Sequence, residues 1–347
     1  MHSTSDSWTW PSRLSRASRV LAVTSGVLLA IGAVAPSGAA FAGVAQSADS
    51  VTIVNDLGET TEITVDNSTP PVSPSAQGSG DIADPVGGIS LDELDLVTPR
   101  VDATSPNQRN RSLEPGTVTP RVVIGTDNRT QVDVSVSPHT QIPLILFTNN
   151  EANYMCTGAL VADRTVVTAG HCLFDTDGGG LQWSSQVAVL FSMQGTVYSF
   201  RCYPTTLSAS TNWVNNQTNS DDWGVIQLAC NAGSVAGHFG YRDSGTGAVS
   251  GSDWSVTGYP GDKVTSSGYS MWTHSGSLNS HSSTQVTYTI DTAGGQSGAP
   301  IWRLESGTAC GNCVIGVHTA GSPTVGLNFG TRLTGGFKST VDYIASL

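Results

Sequence analysis

A serine flanked by glycines stands in the stretch 294–300, whose sequence is GGQSGAP. Glycine admits backbone conformations that are closed to other residues, and it lets a substrate carbonyl approach the main chain. A nucleophile at Ser297 requires both properties, because its own N–H and that of Gly295 must point at a developing oxyanion. The stretch therefore indicates either a plain loop or the nucleophile of an acyl transfer. A nucleophilic serine needs a general base to activate it, so the presence of such a base in the sequence distinguishes the two.

A histidine suited to be that base lies upstream, in the segment 168–172 with the sequence TAGHC. A neutral imidazole at physiological pH can accept the proton of a serine hydroxyl and return it to a leaving group. His171 follows an apolar run and precedes a cysteine, which is a more specific setting than that of an isolated histidine. We interpret His171 as the general base of Ser297.

The carboxylate that orients such an imidazole is expected at Asp221 or Asp222. Neighbours along a strand point to opposite faces, so only one of the two can serve. Asp222 directly precedes the apolar run 223–228, WGVIQL, which would hold it in the interior. Asp221 instead follows the polar residues Asn219 and Ser220. We therefore predict Asp222 as the third residue of a Ser-His-Asp triad.

The overall composition favours an exported all-β protein. The 347 residues carry a net charge of −12, and only 12% of them are charged. This acidic balance argues against nucleic acid or an anionic membrane as a partner, since either requires clustered Lys and Arg. An even number of cysteines in an exported chain predicts disulfides. The cysteines are Cys156, Cys172, Cys202, Cys230, Cys310 and Cys313.

Residues 1–42 have the organisation of a secretory signal peptide. Arg13, Arg16 and Arg19 precede an apolar segment over residues 20–34, and small residues end the stretch at Ala42. The apolar segment is interrupted and falls short of the roughly 20 residues that a membrane span requires. We predict a cleaved signal peptide and an extracellular protein.

Residues 43–121 differ from the rest of the chain, because they contain no cysteine and are rich in Ser, Thr, Pro, Asp and Val. Segments 51–54 and 61–65 are predicted to pair as a hairpin, and the remainder is typical of an irregular linker. The sequence VTPR at 97–100 recurs at 118–121, which predicts processing sites. We interpret 43–121 as a pro-segment removed after Arg121, with a retained spacer as the alternative.

Residues 122–347 contain short apolar runs separated by turn residues, as in β-barrels or sandwiches. The clearest runs are 142–147, 187–191, 225–228 and 314–317. Four apolar residues at helical spacing predict one closing helix. They are Phe337, Val341, Ile344 and Leu347.

Together these motifs resemble the trypsin/chymotrypsin superfamily of serine proteases, in which His, Asp and Ser follow one another in this order. The resemblance is carried by 156–161 (CTGALV), 168–172, 222–224 (DWG) and 295–300. Within the superfamily, residues 122–347 are most similar to bacterial glutamyl endopeptidases. That similarity rests on 122–130 (VVIGTDNRT), 256–263 (VTGYPGDK) and 314–319 (VIGVHT).

The resemblance implies an all-β, chymotrypsin-like double β-barrel with a short C-terminal helix and the triad in the cleft between the barrels. It implies an oxyanion hole formed by the N–H groups of Gly295 and Ser297. It also implies cleavage of protein or peptide substrates after glutamate, with aspartate slower. This chemistry requires no metal or organic cofactor, and we expect a monomer.

His318 and Thr292 match the positions that bind the substrate carboxylate in this family, and the new α-amino group of Val122 is the third contributor. Cleavage after Arg121 would therefore complete the pocket of an inactive precursor. An enzyme specific for glutamate cannot make this cut itself, so a separate processing protease is expected.

Two alternatives stand beside this interpretation. Asp291 lies six residues before Ser297, the offset at which trypsin-like enzymes place an aspartate that selects Arg or Lys, and there it would repel glutamate. The neighbouring trypsin-like cysteine is missing and His318 suits Arg poorly, so we favour glutamate. Gln296 replaces the aspartate with which digestive trypsins pair their new N-terminus. The second alternative is a non-catalytic binding protein, which the complete triad disfavours.

A disulfide between the cysteines flanking the strand before His171 would fix the histidine loop, and this pairing also matches the superfamily. The last two cysteines are expected to pair locally, with a zinc site as the alternative that lacks a second ligand pair. The expected disulfides are Cys156–Cys172, Cys202–Cys230 and Cys310–Cys313.

Overall fold

A computed structural model of the chain shows antiparallel sheets as the dominant structure of the unit Ala45–Leu347. The predicted signal peptide and both VTPR motifs lie outside the described residues. None of the helices in the described part of the chain is long and apolar enough to cross a membrane. The structure describes residues 49–55, 58–65, 89–90, 112–113, 116–117, 122–149, 152–175, 182–245, 249 and 251–347.

The strands that precede the first barrel are β1 (Asp49–Asn55), β2 (Thr60–Val65), β3 (Ile89–Ser90), β4 (Ser112–Leu113), β5 (Gly116–Thr117) and β6 (Thr130–Gln131). β1 and β2 form an antiparallel pair with Val51 opposite Ile63, so the hairpin predicted from segments 51–54 and 61–65 is confirmed. We call residues 49–65 the leader hairpin. β4 pairs with β5.

The first barrel follows a 3₁₀ turn at His139–Gln141. Its elements are β7 (Leu144–Asn149), β8 (Ala152–Thr157), β9 (Ala159–Ala162), β10 (Thr165–Thr168), a 3₁₀ turn at Gly170–Cys172, β11 (Phe174–Asp175), β12 (Gln182–Trp183), β13 (Ser185–Phe191), β14 (Val197–Tyr198), β15 (Phe200–Cys202), β16 (Pro204–Ser210), α1 (Thr211–Asn216), a 3₁₀ turn at Asn219–Asp221 and β17 (Gly224–Leu228). The short strands pair locally, β11 with β12 and β14 with β3.

Two bent strands close this barrel. One sheet has the order β15-β13-β7-β8, and the other contains β16-β17-β10-β9. The run from β8 to β9 passes between the sheets at Gly158, and the run from β15 to β16 does so at Tyr203. A Cβ on Gly158 would lie 2.6 Å from a methyl group of Val166, so this bend requires glycine. The branched apolar side chains of these strands fill the interior, as the predicted runs 187–191 and 225–228 require.

The second barrel is closed in the same way. Its elements are α2 (Gly233–Ala236), β18 (Gly240–Tyr241), β19 (Trp254–Gly258), a 3₁₀ turn at Gly261–Lys263, β20 (Trp272–Gly276), β21 (Leu278–His281), β22 (Gln285–Tyr288), β23 (Pro300–Glu305), β24 (Gly311–Ser322), β25 (Leu327–Arg332) and α3 (Gly335–Ser346). The strand order is β21-β22-β25-β24-β23-β19-β20, and β20 continues into β21 past Ser277. β6 adds to the edge of β20, with Gln131 opposite Trp272.

The closing helix α3 confirms the prediction from helical spacing. Phe337, Val341 and Ile344 are buried, and Phe337 stacks on Trp223 with ring centroids 4.9 Å apart. Leu347 was grouped with them, but it follows the end of the helix and is exposed. The all-β fold with a short C-terminal helix is therefore as predicted, and the three disulfides join Cys156 to Cys172, Cys202 to Cys230 and Cys310 to Cys313.

Candidate active site

His171 lies on a 3₁₀ turn that begins directly after β10. The disulfide between Cys172 and Cys156 ties this turn to β8 in the other sheet of the barrel. A Cβ on Gly170 would approach the Trp213 ring to 3.0 Å, so glycine lets the turn pack against α1. The Trp213 ring in turn lies 6.3 Å from the His171 ring, centroid to centroid. The imidazole is consequently buried and held in one place.

Asp222 is buried against the Nδ1 side of that imidazole. Its Oδ2 lies 2.9 Å from His171 Nδ1, and its Oδ1 accepts a hydrogen bond of 2.9 Å from the His171 main-chain N–H. A carboxylate only accepts hydrogen bonds, so in a neutral imidazole this contact places the proton on Nδ1 and the lone pair on Nε2. Asp221 points elsewhere and accepts hydrogen bonds from the hydroxyls of Ser210 and Ser220.

Ser297 completes the arrangement from the second barrel, where its hydroxyl is hydrogen-bonded to His171 Nε2. Its loop depends on two glycines with left-handed backbone conformations. Gly295 has φ +93°, and a Cβ there would lie 2.5 Å from the Tyr259 carbonyl oxygen. Gly298 has φ +78°, and a Cβ there would lie 2.0 Å from the Thr168 hydroxyl. No larger residue fits either position without moving the nucleophile.

The main chain of the same loop can form an oxyanion hole. The carbonyl of Gln296 accepts a hydrogen bond from the Ala299 N–H, and that of Gly294 accepts one from Gly261. A trans peptide directs its N–H opposite to its C=O, so the following N–H groups turn the other way. Those N–H groups belong to Gly295 and Ser297. Neither has an acceptor within the described part of the chain.

Thr292 and His318, the residues expected to bind a substrate carboxylate, are both fully buried. The Thr292 hydroxyl has no hydrogen-bond partner among the described residues, whereas its N–H lies 3.4 Å from the Val122 carbonyl oxygen. His318 Nδ1 lies 2.6 Å from the Tyr288 hydroxyl. Tyr288 was missed in the sequence, because nothing near it in the chain marks it as a partner of a histidine 30 residues away.

The segment that begins at Val122 is held by two buried polar side chains. Asn328 accepts a hydrogen bond of 3.2 Å from the Val122 N–H and donates one of 2.9 Å to its carbonyl. The Asp291 carboxylate accepts hydrogen bonds from the N–H groups of Ile124 and Asn128, at 2.7 Å and 2.9 Å. Both Asp291 oxygens therefore face this segment, a role that the sequence did not suggest. Asn328 also carried no sequence signal.

Gln296, which precedes the nucleophile, does not reach the segment at Val122. Its side chain is fully buried, and its Oε1 accepts a hydrogen bond of 2.9 Å from the Ala293 N–H. The amide thus braces the nucleophile loop from within. Val122 instead contacts Asn328, which accepts a hydrogen bond from the Val122 main-chain N–H. The residue after Arg121 is therefore held without a hydrogen bond to Gln296.

A charged network fastens the next part of that segment to the loop 259–263. The guanidinium of Arg129 is buried and donates to the carboxylates of Asp127 and Asp262. Burial opposes its charge, but hydrogen bonds to the two carboxylates raise the pKa of Arg129 above its usual value. The hydrogen bond from Arg129, assisted by Lys263, holds the pKa of Asp127 well below its usual range. Both ends of the network are therefore charged at neutral pH.

Two groups of described side chains have the spacing of metal ligands, and disulfides occupy both. In each group two of the three donors are sulfur atoms already bonded to one another, so they are not free thiolates. Because Cys310 and Cys313 are bonded to each other, they do not offer the thiolate ligands that the alternative zinc site would need. The groups are Cys156, His171 and Cys172, and Glu305, Cys310 and Cys313.

Comparison with known proteins agrees with this geometry. The sequence model of the Trypsin family matches residues 131–337. The glutamyl endopeptidase of Bacillus licheniformis is 33% identical over 242 residues, covering 68% of this chain and 73% of the relative. A protein of Bacillus subtilis (strain 168) named extracellular metalloprotease is 35% identical over 234 residues, covering 66% of this chain and 72% of the relative. The word metalloprotease describes that relative, whereas this chain brings together Ser, His and Asp.

Solved structures support the same class. The structure of Glu endopeptidase in complex with MPD has 30% sequence identity and a TM-score of 0.58, covering 65% of this chain and 100% of that one. The protease Anisep from Arthrobacter nicotinovorans, with 21% identity and a TM-score of 0.51, shares the fold and covers 63% of this chain and 100% of its own. The fold and the site thus define a chymotrypsin-like serine protease. This chain belongs to the trypsin family, and within it the chain is similar to glutamyl endopeptidases.

Proposed function

We propose that this serine protease is a secreted endopeptidase that cleaves after glutamate, and more slowly after aspartate, with Ser297, His171 and Asp222 as its catalytic triad. One observation carries the proposal. A continuous line of hydrogen bonds runs from the buried Asp222 carboxylate through both imidazole nitrogens to the Ser297 hydroxyl. In a trypsin-family fold this line connects a nucleophile, a base and an orienting charge.

The reaction follows from that line. His171 Nε2 accepts the hydroxyl proton as Ser297 Oγ attacks the scissile carbonyl carbon, and Asp222 stabilises the imidazolium that results. The N–H groups of Gly295 and Ser297 bind the oxyanion of the tetrahedral intermediate. His171 then gives the proton to the leaving amine, which departs from the acyl-enzyme. A water molecule, deprotonated by His171, hydrolyses the ester and restores Ser297.

Glutamate specificity is supported by the donors available for a carboxylate. A buried carboxylate requires hydrogen-bond donors and positive charge around it. The buried Thr292 hydroxyl offers one donor, and His318 offers an imidazole. Asp291, the residue that would select Arg or Lys, has both carboxylate oxygens occupied by the segment 122–128. These main-chain donors, together with the His274 imidazole 3.3 Å from Asp291 Oδ2, support a structural role for the carboxylate over the selection of a substrate cation.

Maturation by cleavage after Arg121 would add the missing positive charge. Asn328 and the Thr292 N–H already contact Val122, so the cut would convert its peptide nitrogen into an ammonium group beside Thr292. In this proposal residues 1–42 are the signal peptide, 43–121 the pro-segment and 122–347 the mature monomer. A different protease makes the cut, because Arg121 does not fit a pocket built for glutamate.

The test is a set of matched peptides that differ only in the residue before the cleaved bond. With the processed enzyme, we expect a glutamate peptide to exceed the isosteric glutamine peptide at least ~100-fold in kcat/KM, because a site built for a charged group leaves its donors unpaired with the neutral one. Aspartate should lie between them, and Ser297→Ala should abolish every rate. A preference for arginine or lysine would overturn the specificity but keep the mechanism.

A matched pair of variants separates the pocket from the triad. Thr292→Val keeps the shape of the side chain and removes its hydroxyl donor, so the preference for glutamate over glutamine should fall about 10-fold or more. Thr308→Val, at an exposed position in the turn between β23 and β24, should leave that preference unchanged. An equal effect of both substitutions would remove Thr292 from the pocket.

A further inference from the structure

The leader hairpin extends a sheet of the first barrel. β1 runs antiparallel to β16, with Val51 opposite Ser210 and Asn55 opposite Thr206, while β17 pairs with the other edge of β16. The chain bends at Tyr203 between β15 and β16. β15 pairs with β13 in the other sheet, whereas β16 lies beyond the bend, so one edge of β16 is available to pair with β1. β1 therefore satisfies main-chain groups that an edge strand would otherwise leave unpaired.

The side chains of β1 are buried on both faces of the strand. Val51 has no exposed surface and belongs to the same core as Phe337 and Val341 of α3. Val54, on the opposite face, is buried in the core that includes Leu207 of β16. β2 forms the outer strand of the hairpin and is exposed at positions such as Thr61. β1 thus has the environment of an internal strand, and β2 that of a surface strand.

Polar contacts continue from β1 toward the candidate catalytic histidine. The Thr52 hydroxyl lies 3.0 Å from the Thr211 hydroxyl, which also lies 3.1 Å from that of Ser50. Thr211 begins α1, the helix whose Trp213 packs beside His171. The surface that receives the hairpin is therefore a defined combination of the β16 edge, the start of α1 and one face of α3.

We propose that the leader hairpin stays bound to the first barrel after the chain is cut after Arg121, so that this surface is a specific binding site for a separate peptide strand. The inference rests on the proposed cleavage after Arg121. The cut breaks no contact of the hairpin, because residues 122–131 are held independently by Asp291, Asn328 and β20. Residues 49–65 contain no Lys or Arg, so a protease that cuts after Arg121 does not destroy the strand.

The first experiment follows the hairpin through cleavage. The precursor 43–347 carries Ser297→Ala, which prevents digestion at Glu59 or Glu62, and a recognition sequence for a sequence-specific protease directly before Val122. After complete cleavage, native size-exclusion chromatography with mass spectrometry should find the fragment 43–121 with the body 122–347 in equal amounts. A fragment that elutes separately, from a body that keeps its far-ultraviolet circular dichroism, overturns the proposal.

The second experiment keeps the barrel unchanged and varies only the strand. A labelled synthetic peptide of residues 46–68 is added to the cleaved complex, and its exchange for the bound fragment is followed by fluorescence anisotropy. Val51→Asp in the peptide should weaken binding at least ~100-fold, because it buries an unpaired charge. Thr61→Asp, which adds the same charge on the exposed outer strand, should change binding by less than ~3-fold. Equal weakening by both substitutions would contradict the site described here.

These outcomes are independent of the proposed specificity. The engineered cleavage site does not use Arg121, and Ser297→Ala removes catalysis from the experiment. Release of the hairpin would leave a glutamate preference in the peptide set intact. A lack of glutamate preference would equally leave the retained hairpin intact.

Discussion

The two barrels hold the chain on either side of Arg121 by different means. The first barrel binds the leader hairpin through a strand ladder and apolar side chains such as Val51 and Val54. The second binds residues 122–128 through a buried carboxylate and a buried amide that contact main-chain groups. Apolar contacts are insensitive to a new terminus, whereas the contacts at Val122 lie where the proposed cleavage would create a charge. Under that proposal the hairpin stabilises the first barrel, and residues 122–128 contribute to the pocket.

The proposed mechanism also divides its groups between the barrels. The first barrel holds His171 and Asp222 near a turn tied down by a disulfide, and the second holds Ser297 with the proposed donors of the oxyanion hole and the pocket. Single substitutions can separate what each barrel contributes to catalysis and to stability.

The largest effect is expected in the first barrel, from Asp222→Asn. An amide in place of the carboxylate favours the wrong imidazole tautomer, so kcat should fall about 10⁴-fold while the fold is retained. Asp221→Asn is the matched control, because among the described residues its carboxylate accepts from the hydroxyls of Ser210 and Ser220 and not from His171, and it should change kcat less than ~3-fold. Steady-state rates of the two processed enzymes, with their melting temperatures, check this pair. A larger loss from Asp221→Asn would reassign the orienting carboxylate.

Asp291→Ala should break the second barrel's hold on residues 122–128. Two main-chain N–H groups lose their acceptors, which costs about 2–4 kcal/mol of unfolding free energy. Displacement of Val122 should also lower kcat/KM for glutamate peptides about 10-fold to 100-fold. Asp291→Asn retains one acceptor oxygen and should do less on both measures. If Asp291 faced the pocket instead, Asp291→Ala would leave stability unchanged and improve cleavage after glutamate.

Val54→Ala in the leader hairpin should have an intermediate effect that is confined to stability. Loss of two buried methyl groups should lower the unfolding free energy of the Ser297→Ala precursor by about 1–2 kcal/mol. Thr64→Ala, on the exposed face of β2, should change it by less than ~0.5 kcal/mol. Urea denaturation measures both variants. Equal values for the two positions would show that the hairpin contributes no packing to the first barrel.

The smallest effect is expected from acid at the network of Asp127. The folded-state pKa of this carboxyl is lowered, chiefly by the hydrogen bond from Arg129, so its stabilisation is fully present above its unfolded value of about 4 and is lost as pH falls toward the folded value. Because Asp127 is partly exposed, we expect only about 0.5–1 kcal/mol. The difference in unfolding free energy between wild type and Asp127→Asn should be constant near neutral pH and shrink below about pH 4. A difference that grows in acid would reverse the sign and contradict the assignment.

The sequence predicted a feature correctly wherever the residues that form it lie in one short segment. The glycines around Ser297 are needed at two left-handed positions, and both the apolar run after Asp222 and the small residues before His171 specify single strands and turns. The leader hairpin was predictable for the same reason, because its two strands are neighbours in the chain. The offset of Asp291 from Ser297 does not reveal which side of the loop its carboxylate faces, and only the structure shows both of its oxygens accepting hydrogen bonds from residues 124 and 128.

By itself, the sequence determined the candidate triad, the all-β class, the closing helix and the hairpin, because each depends on residue types within a few positions. Only the tertiary structure decided that Asn328 holds Val122 across 206 residues, that Tyr288 contacts His318, and that β1 pairs with β16. These contacts depend on strand register and on where two bent strands close a barrel. Register is set by packing of the whole core and not by any segment alone, so the partners of these residues emerge only when both barrels are folded.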